Sequence, residues 1–157
     1  MIPRLGSRGQ GWVVLQVVLL LVVAVVGVVG RGGWPEQWHV ALTLLGVVVL
    51  AVGVVVALMA VTGLGSALTA LPAPLPGEQL RTTGIYAVVR HPIYGSLVLM
   101  ALGFSLLTSP WALLPTAALA VVLDLKRRVE EDFLATAYDG YADYRLAVRR
   151  AMLPFVW

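Results

Sequence analysis

Two long apolar runs, residues 12–30 and 38–62, constrain this chain before anything else in it does. Each is long enough for one helical crossing of a bilayer, for which about 20 residues suffice. Both are rich in valine, a pattern that in water would favour strands. In lipid the backbone satisfies its own polar groups only as a helix or a closed barrel, and a few long runs do not make a barrel. Both runs are therefore expected to be helices. The first exceeds the usual 7–15 apolar residues of a cleaved leader, so it is read as a span. The composition agrees: the 157 residues are 60% hydrophobic and 12% charged, about half the charged share of a soluble domain.

The rest of the chain is punctuated by glycine and proline. Residues 31–37 hold Gly-Gly and Trp-Pro, which reads as a tight outer loop with Trp34 and Trp38 at the interface. Gly63-Leu64-Gly65-Ser66 and the proline-rich stretch 72–77 break any helix, making residues 63–89 a long connector of low charge, too apolar for simple disorder. Two shorter apolar runs, 93–108 and 111–125, are split by Ser109-Pro110 and read as a helical hairpin. Its second helix continues through the charged stretch 126–134, and after Gly140 a short amphipathic piece leads to an apolar tail at 152–157. Arg4, Arg8, Arg81, Arg90, Lys126, Arg127, Arg128, Arg145, Arg149 and Arg150 fall on one side of a four-span arrangement, with Arg31 the exception. Positive charge marks the cytoplasmic side, which puts both termini there.

The expected fold is thus an all-α integral membrane helical bundle of about four transmembrane helices. It includes a C-terminal helical hairpin and ends in a cytoplasmic C-terminal helical segment. Residues 1–62 form an N-terminal two-helix region and 63–157 carry the chemistry. With no cysteine there is no disulfide or thiol nucleophile, and the two histidines, His39 and His91, are too far apart in sequence to suggest a metal site. The net charge of +3 lies at the ends of apolar spans, where it reports topology and anionic lipid and not nucleic acid. His39, beside Trp38, reads as structural. Gly46, Gly53 and Ala57 read as helix-packing residues.

Polar chemistry is concentrated in residues 84–95, where two tyrosines, an arginine and a histidine occur together. Pro92 disfavours helical geometry at His91 and suits the first turn of a helix itself, so the third helix should start at Pro92 with His91 just outside. Arg90, His91 and the first free N–H groups of that helix would form a donor-rich corner able to hold an anion. Further on, Lys126 and Glu130 are four apart, as are Arg127 and Glu131, so each pair can meet on a helix surface as an exposed salt bridge. Adjacent Glu130 and Glu131 diverge by about 100°, so one of the two is expected to face inward, where a carboxylate would bind a cation. Tyr138, Tyr141 and Tyr144 suit either an interfacial aromatic belt or a lid.

Taken in order, Leu80-x-x-x-Gly84-Ile85-Tyr86, Arg90-His91-Pro92-x-Tyr94, a hairpin, Glu130-Glu131-x-x-Leu134 and Tyr138-x-x-Tyr141-x-x-Tyr144 resemble the isoprenylcysteine carboxyl methyltransferase family, related to the phospholipid methyltransferases. The resemblance covers roughly 63–157. It implies S-adenosyl-L-methionine as cofactor, held between the membrane helices and the C-terminal segment, and an acceptor that enters from lipid. By the same resemblance Gln79, Leu80 and Arg81 border the cofactor, Tyr86 contacts it, and His91, Pro92, Ile93 and Tyr94 wall it. Arg90 and His91 would orient its carboxylate, and Glu130 would take its ammonium. Lys126 falls where an acceptor-facing arginine is often found in the family, so His91 and Lys126 are the candidate catalytic pair. Lysine lacks arginine's planar two-point grip on a carboxylate, which leaves the acceptor and the choice of O- or N-methylation open. The C-terminal pattern is also similar to membrane sterol reductases that use a nicotinamide phosphate cofactor, with Arg127, Arg128, Arg149 and Arg150 as the residues that would favour it. A non-catalytic lipid-binding protein is the third reading. Expected partners are membrane lipids and a lipophilic or lipid-modified acceptor, with oligomeric state open; the wealth of Val, Ala, Gly and Arg suggests a prokaryotic plasma membrane.

Overall fold

The computed structural model describes residues 2–154, and every regular element among them is helical. Helix α1 spans Gln10–Val29, α2 Glu36–Leu64, α3 Pro92–Thr108, α4 Leu113–Ala137 and α5 Tyr141–Ala147. Two of them, α1 and α2, are long and apolar enough to cross a membrane, and α3 is a shorter apolar helix of 17 residues. Their outward faces leave Val14, Val25, Val29, Val40, Leu44 and Leu58 exposed, a surface of aliphatic side chains that suits lipid and not water. The expected helix boundaries hold to within a few residues. Of the apolar tail expected at 152–157, residues 155–157 lie outside the described residues.

Local sequence sets the breaks. Pro35 precedes Glu36 at the start of α2, and Gly65, at φ +55°, ends it in a conformation that side chains disfavour. α3 begins at Pro92 with His91 as the residue before it, as the proline rules require. Ser109 accepts a hydrogen bond from the Trp111 amide and starts the turn at Pro110–Ala112 that joins α3 to α4. α4 then runs unbroken for 25 residues, from the apolar hairpin arm into the charged stretch.

The tightest packing joins α2 and α3 through glycine. A Cβ on Gly103 would lie 2.6 Å from the Leu50 amide nitrogen, and one on Gly53 would lie 2.9 Å from the Met100 nitrogen. Backbones approach this closely only where no side chain intervenes. Gly46 and Gly53 are buried there, while Ala57 is only partly so. α2 passes through residue 62 without interruption, so this packing ties the N-terminal helices to the remainder. The core gathers Val23, Tyr94, Ala101, Leu119, Leu123, Ala151 and Met152, so the C-terminal tail is built into the bundle. The start of α1, the end of α2, the start of α3 and the charged part of α4 meet at one end, together with the connector.

Candidate functional site

At that end the chain is folded by a sequence of small, local decisions. Gly84, at φ +61°, turns the connector into a short 3₁₀ stretch, Gly84–Ala87, which directs Tyr86 inward. The Tyr86 hydroxyl donates to the Ala60 carbonyl of α2 at 3.2 Å, and its own carbonyl accepts from the Tyr144 hydroxyl at 2.7 Å. The next segment pairs with the C-terminal tail through its backbone: Arg90 N–H donates to Arg150 O at 3.1 Å and His91 N–H to Ala151 O at 2.7 Å. Gly95 is what admits the tail, since a Cβ there would sit 2.1 Å from the Met152 carbonyl oxygen.

The donor-rich corner expected beside α3 does hold an anion, but that anion is the protein's own Glu131. Its Oε1 accepts from Arg90 Nε at 3.1 Å and Nη2 at 2.9 Å and from Arg127 Nη1 at 3.1 Å, and His91 Nε2 stands 3.1 Å away. Arg90 also donates to the Val148 carbonyl, so its guanidinium is taken up within the protein. Asp124 extends the cluster by accepting from Arg127 and Arg128. Burial alone would raise the Glu131 carboxyl, but the hydrogen bonds and charges of His91 and Arg90 outweigh it and hold the group down at about 2.

This revises the surface picture of α4. Arg127 and Glu131 do pair, but in the interior, because Arg90 and His91 reach over from the preceding segment and cover them. The Lys126 ammonium donates to Gln16 Oε1 at 2.6 Å and to the Ala70 carbonyl at 2.9 Å rather than to Glu130, and it lies 5.0 Å from the centre of the Tyr94 ring. With only neutral groups in contact, burial pushes Lys126 down to about 8, against the opposing pull of Glu130. Both glutamates face His91, from different sides. Glu130 accepts from the Tyr94 hydroxyl and lies 3.7 Å from His91 Nδ1, while the imidazole is parallel to the Tyr94 ring with centroids 5.7 Å apart.

Between these groups and the connector lies a cavity of about 410 Å³. Gln79, Leu80, Arg81, Tyr86, Arg90, His91, Pro92, Ile93, Tyr94, Lys126 and Glu130, the residues singled out from the sequence, all line it. Arg81 is turned toward Glu78 at its rim, 3.5 Å away. Glu131 is buried behind the wall. Tyr138, Tyr141 and Tyr144 also line the cavity and cover it from the C-terminal side, so they are not merely an outward belt. Burial raises the hydroxyl pKa of Tyr86 and Tyr141 and carries that of Tyr144 up to about 12, so all three stay protonated near neutral pH.

The sequence reading missed Gln16 and Glu78, which also line the cavity. Gln16 had a signal, being the one amide inside the first apolar run. A polar side chain in a membrane helix asks for a partner, and Lys126 is that partner.

A family model for phospholipid methyltransferase matches residues 41–140. The chain belongs to the phospholipid methyltransferase family. At that level it is a membrane methyltransferase. No curated protein matches the chain, and no solved structure does. The phospholipid methyltransferase match takes in most of α2, the 3₁₀ turn, α3 and α4, and with them His91, Lys126, Glu130 and Glu131. It leaves out α1, α5 and the tail, which bring Gln16, Tyr141 and Tyr144 to the same cavity.

Proposed function

We propose that the protein is an integral membrane S-adenosylmethionine-dependent methyltransferase acting on a lipophilic acceptor. The observation that carries this reading is the cavity itself: the Glu130 carboxylate, the His91 imidazole, the Lys126 ammonium and several tyrosine rings line one space together with the aliphatic side chains of α2 and the connector. The donor set fits the cofactor. A sulfonium and an ammonium call for carboxylate and aromatic faces, and Glu130, Tyr86 and Tyr94 offer them.

Bound S-adenosylmethionine would supply a methyl group on positively charged sulfur for in-line transfer to a nucleophile. Glu130 takes the ammonium, oriented by the Tyr94 hydroxyl. Tyr86, anchored to Ala60, flanks the nucleoside. Lys126 faces the acceptor and meets its head group. A carboxylate acceptor needs no base, while an amine or hydroxyl would give its proton to His91. The tyrosines on the C-terminal side would limit the access of water to a bound sulfonium. Of the four arginines that favoured a nicotinamide phosphate, Arg127, Arg128, Arg149 and Arg150, none lines the cavity, and Arg127 and Arg128 are engaged by Asp124 and Glu131.

In the same reading α3 and α4 are the third and fourth crossings, and the cavity end is cytoplasmic. Protein purified in detergent should bind S-adenosylmethionine and not reduced nicotinamide phosphate. With labelled S-adenosylmethionine and a total lipid extract it should transfer label to a lipid-soluble product. Binding of the nicotinamide cofactor alone, or of neither by folded protein, would end the proposal.

A further inference from the structure

Arg31, the one arginine that breaks the charge bias of the chain, has no part in the function above. It lines a second cavity, of about 180 Å³, at the end of the bundle opposite the large one. The turn after α1, the start of α2 and the last turn of α3 form its walls, with Arg31, Trp34, His39 and Thr43 in the lining beside Leu106 and Leu107. Trp34 and Thr108 of these walls are spent on the carbonyls of Ser105 and Phe104. The side chains of Arg31, His39 and Thr43 have no hydrogen bond or ion pair among the described residues. No carboxylate lines the cavity either: Glu36 is at the same end but outside the lining. A guanidinium, an imidazole and a hydroxyl without an acidic partner are a donor set for a ligand that brings its own anionic oxygens.

We propose that this cavity binds the phosphodiester head group of an anionic phospholipid, with Arg31 as the charged donor and His39 and Thr43 as flanking ones. A lipid is the source of the phosphate because of where the cavity lies. Trp38 and Trp111, both exposed at the same end, mark head-group depth. Val40, Leu44 and Val47 follow one another along α2 past Thr43 and are exposed, an apolar track for acyl chains. The volume is below the roughly 300–1,000 Å³ of pockets that enclose a whole small ligand, so a head group is seated and its chains stay outside. The lipid is anionic because an ammonium-bearing head group would add positive charge beside Arg31 and find no carboxylate in the lining. It is not the methyl acceptor, since α1, 20 residues long, separates the two cavities by about 30 Å.

Native mass spectrometry of the delipidated full chain in detergent, titrated with phosphatidylglycerol, tests this. The parent should bind a first lipid more tightly than it binds phosphatidylcholine. Arg31→Gln should weaken that binding about tenfold to a hundredfold, the range for hydrogen bonds to a charged group. Thr43→Val, which keeps the shape of the side chain, should weaken it about threefold to tenfold. Arg8→Gln removes an exposed arginine at the other end and should keep the parent's affinity, which separates a site from general attraction to a basic protein. Glycerol phosphate, which has the anion without the chains, should fail to displace the lipid at equal concentration. Unchanged affinity in both Arg31→Gln and Thr43→Val, an equal loss in Arg8→Gln, equal binding of phosphatidylcholine, or displacement by glycerol phosphate would each overturn the proposal, the last by showing a site for a free anion. None of these readouts depends on methyl transfer or on S-adenosylmethionine.

Discussion

Glu130 and Glu131 are neighbours in sequence with opposite duties. Glu131 is surrounded by Arg90, Arg127 and His91, and Glu130 faces the cavity with Tyr94 as its donor. Glu131→Gln leaves the buried Arg90 guanidinium without its counter-ion and Arg127 with Asp124 alone, a change that typically costs about 3–5 kcal/mol. Its melting temperature in detergent should drop sharply. Glu130→Gln keeps the bond with Tyr94 and should shift stability by less than about 1 kcal/mol while weakening S-adenosylmethionine binding. The reverse ranking would mean the two roles have been exchanged. Glu131 also sets an acid limb. Its folded carboxyl is held at about 2 against an ordinary 4.5, so the stability it confers is complete above pH 4.5 and is lost as pH falls from there toward 2. Melting curves across that window should show this loss in the parent and a flatter profile in Glu131→Gln. The sequence revealed that the two side chains diverge, since that is helix geometry. It did not reveal which is inside, because the deciding contacts come from Arg90 and His91, some forty positions earlier.

Helices were legible where their causes are local. Pro92 announces the start of α3, the apolar lengths announce α1 and α2, and the unbroken charged continuation of α4 has no glycine or proline to stop it. The tail was not legible in this way: backbone bonds from Arg90 and His91 to Arg150 and Ala151 join two irregular segments, and such pairing leaves no periodic trace. Helix pairing was half legible. Gly46 and Gly53 mark one face of α2, but its opposite number, Gly103 of α3, is recognised only once the helices are side by side. That contact gives a prediction for the element. Because a Cβ at Gly103 meets the backbone of Leu50 and not a flexible side-chain end, Gly103→Ala must push α2 and α3 apart, at about 1–3 kcal/mol. Gly140, before α5, has open space around it and an ordinary φ of −81°, so Gly140→Ala should stay within about 0.5 kcal/mol of the parent. Thermal unfolding of the two variants in one detergent compares them directly. Equal stability would mean that α2 and α3 are not packed backbone to backbone.

For the whole molecule, the polar ends of four helices gather around one cavity, and the opposite end is closed by short turns. Gly33 there lies against Pro110, and Trp34 donates to the Ser105 carbonyl, so the turn after α1 and the turn after α3 share a side. Arg4, over the Phe133 ring of α4, sits at the cavity end with most of the basic residues. Placing that end in the cytoplasm follows from the charge bias. Under the proposed function, a lipophilic acceptor would then approach from the inner leaflet and a charged cofactor from the aqueous side. Orientation can be read without disturbing any native thiol, since the chain has no cysteine. Cysteines introduced singly at Ser7, Glu36, Trp111 and Asp139, all exposed, report the two ends. In intact cells a membrane-impermeant maleimide should label the variants at Glu36 and Trp111, and should reach those at Ser7 and Asp139 only after the membrane is opened. Labelling at Trp111 that follows Ser7 instead of Glu36 would show that α3 and α4 do not cross, leaving a two-span protein with its cavity at the membrane surface.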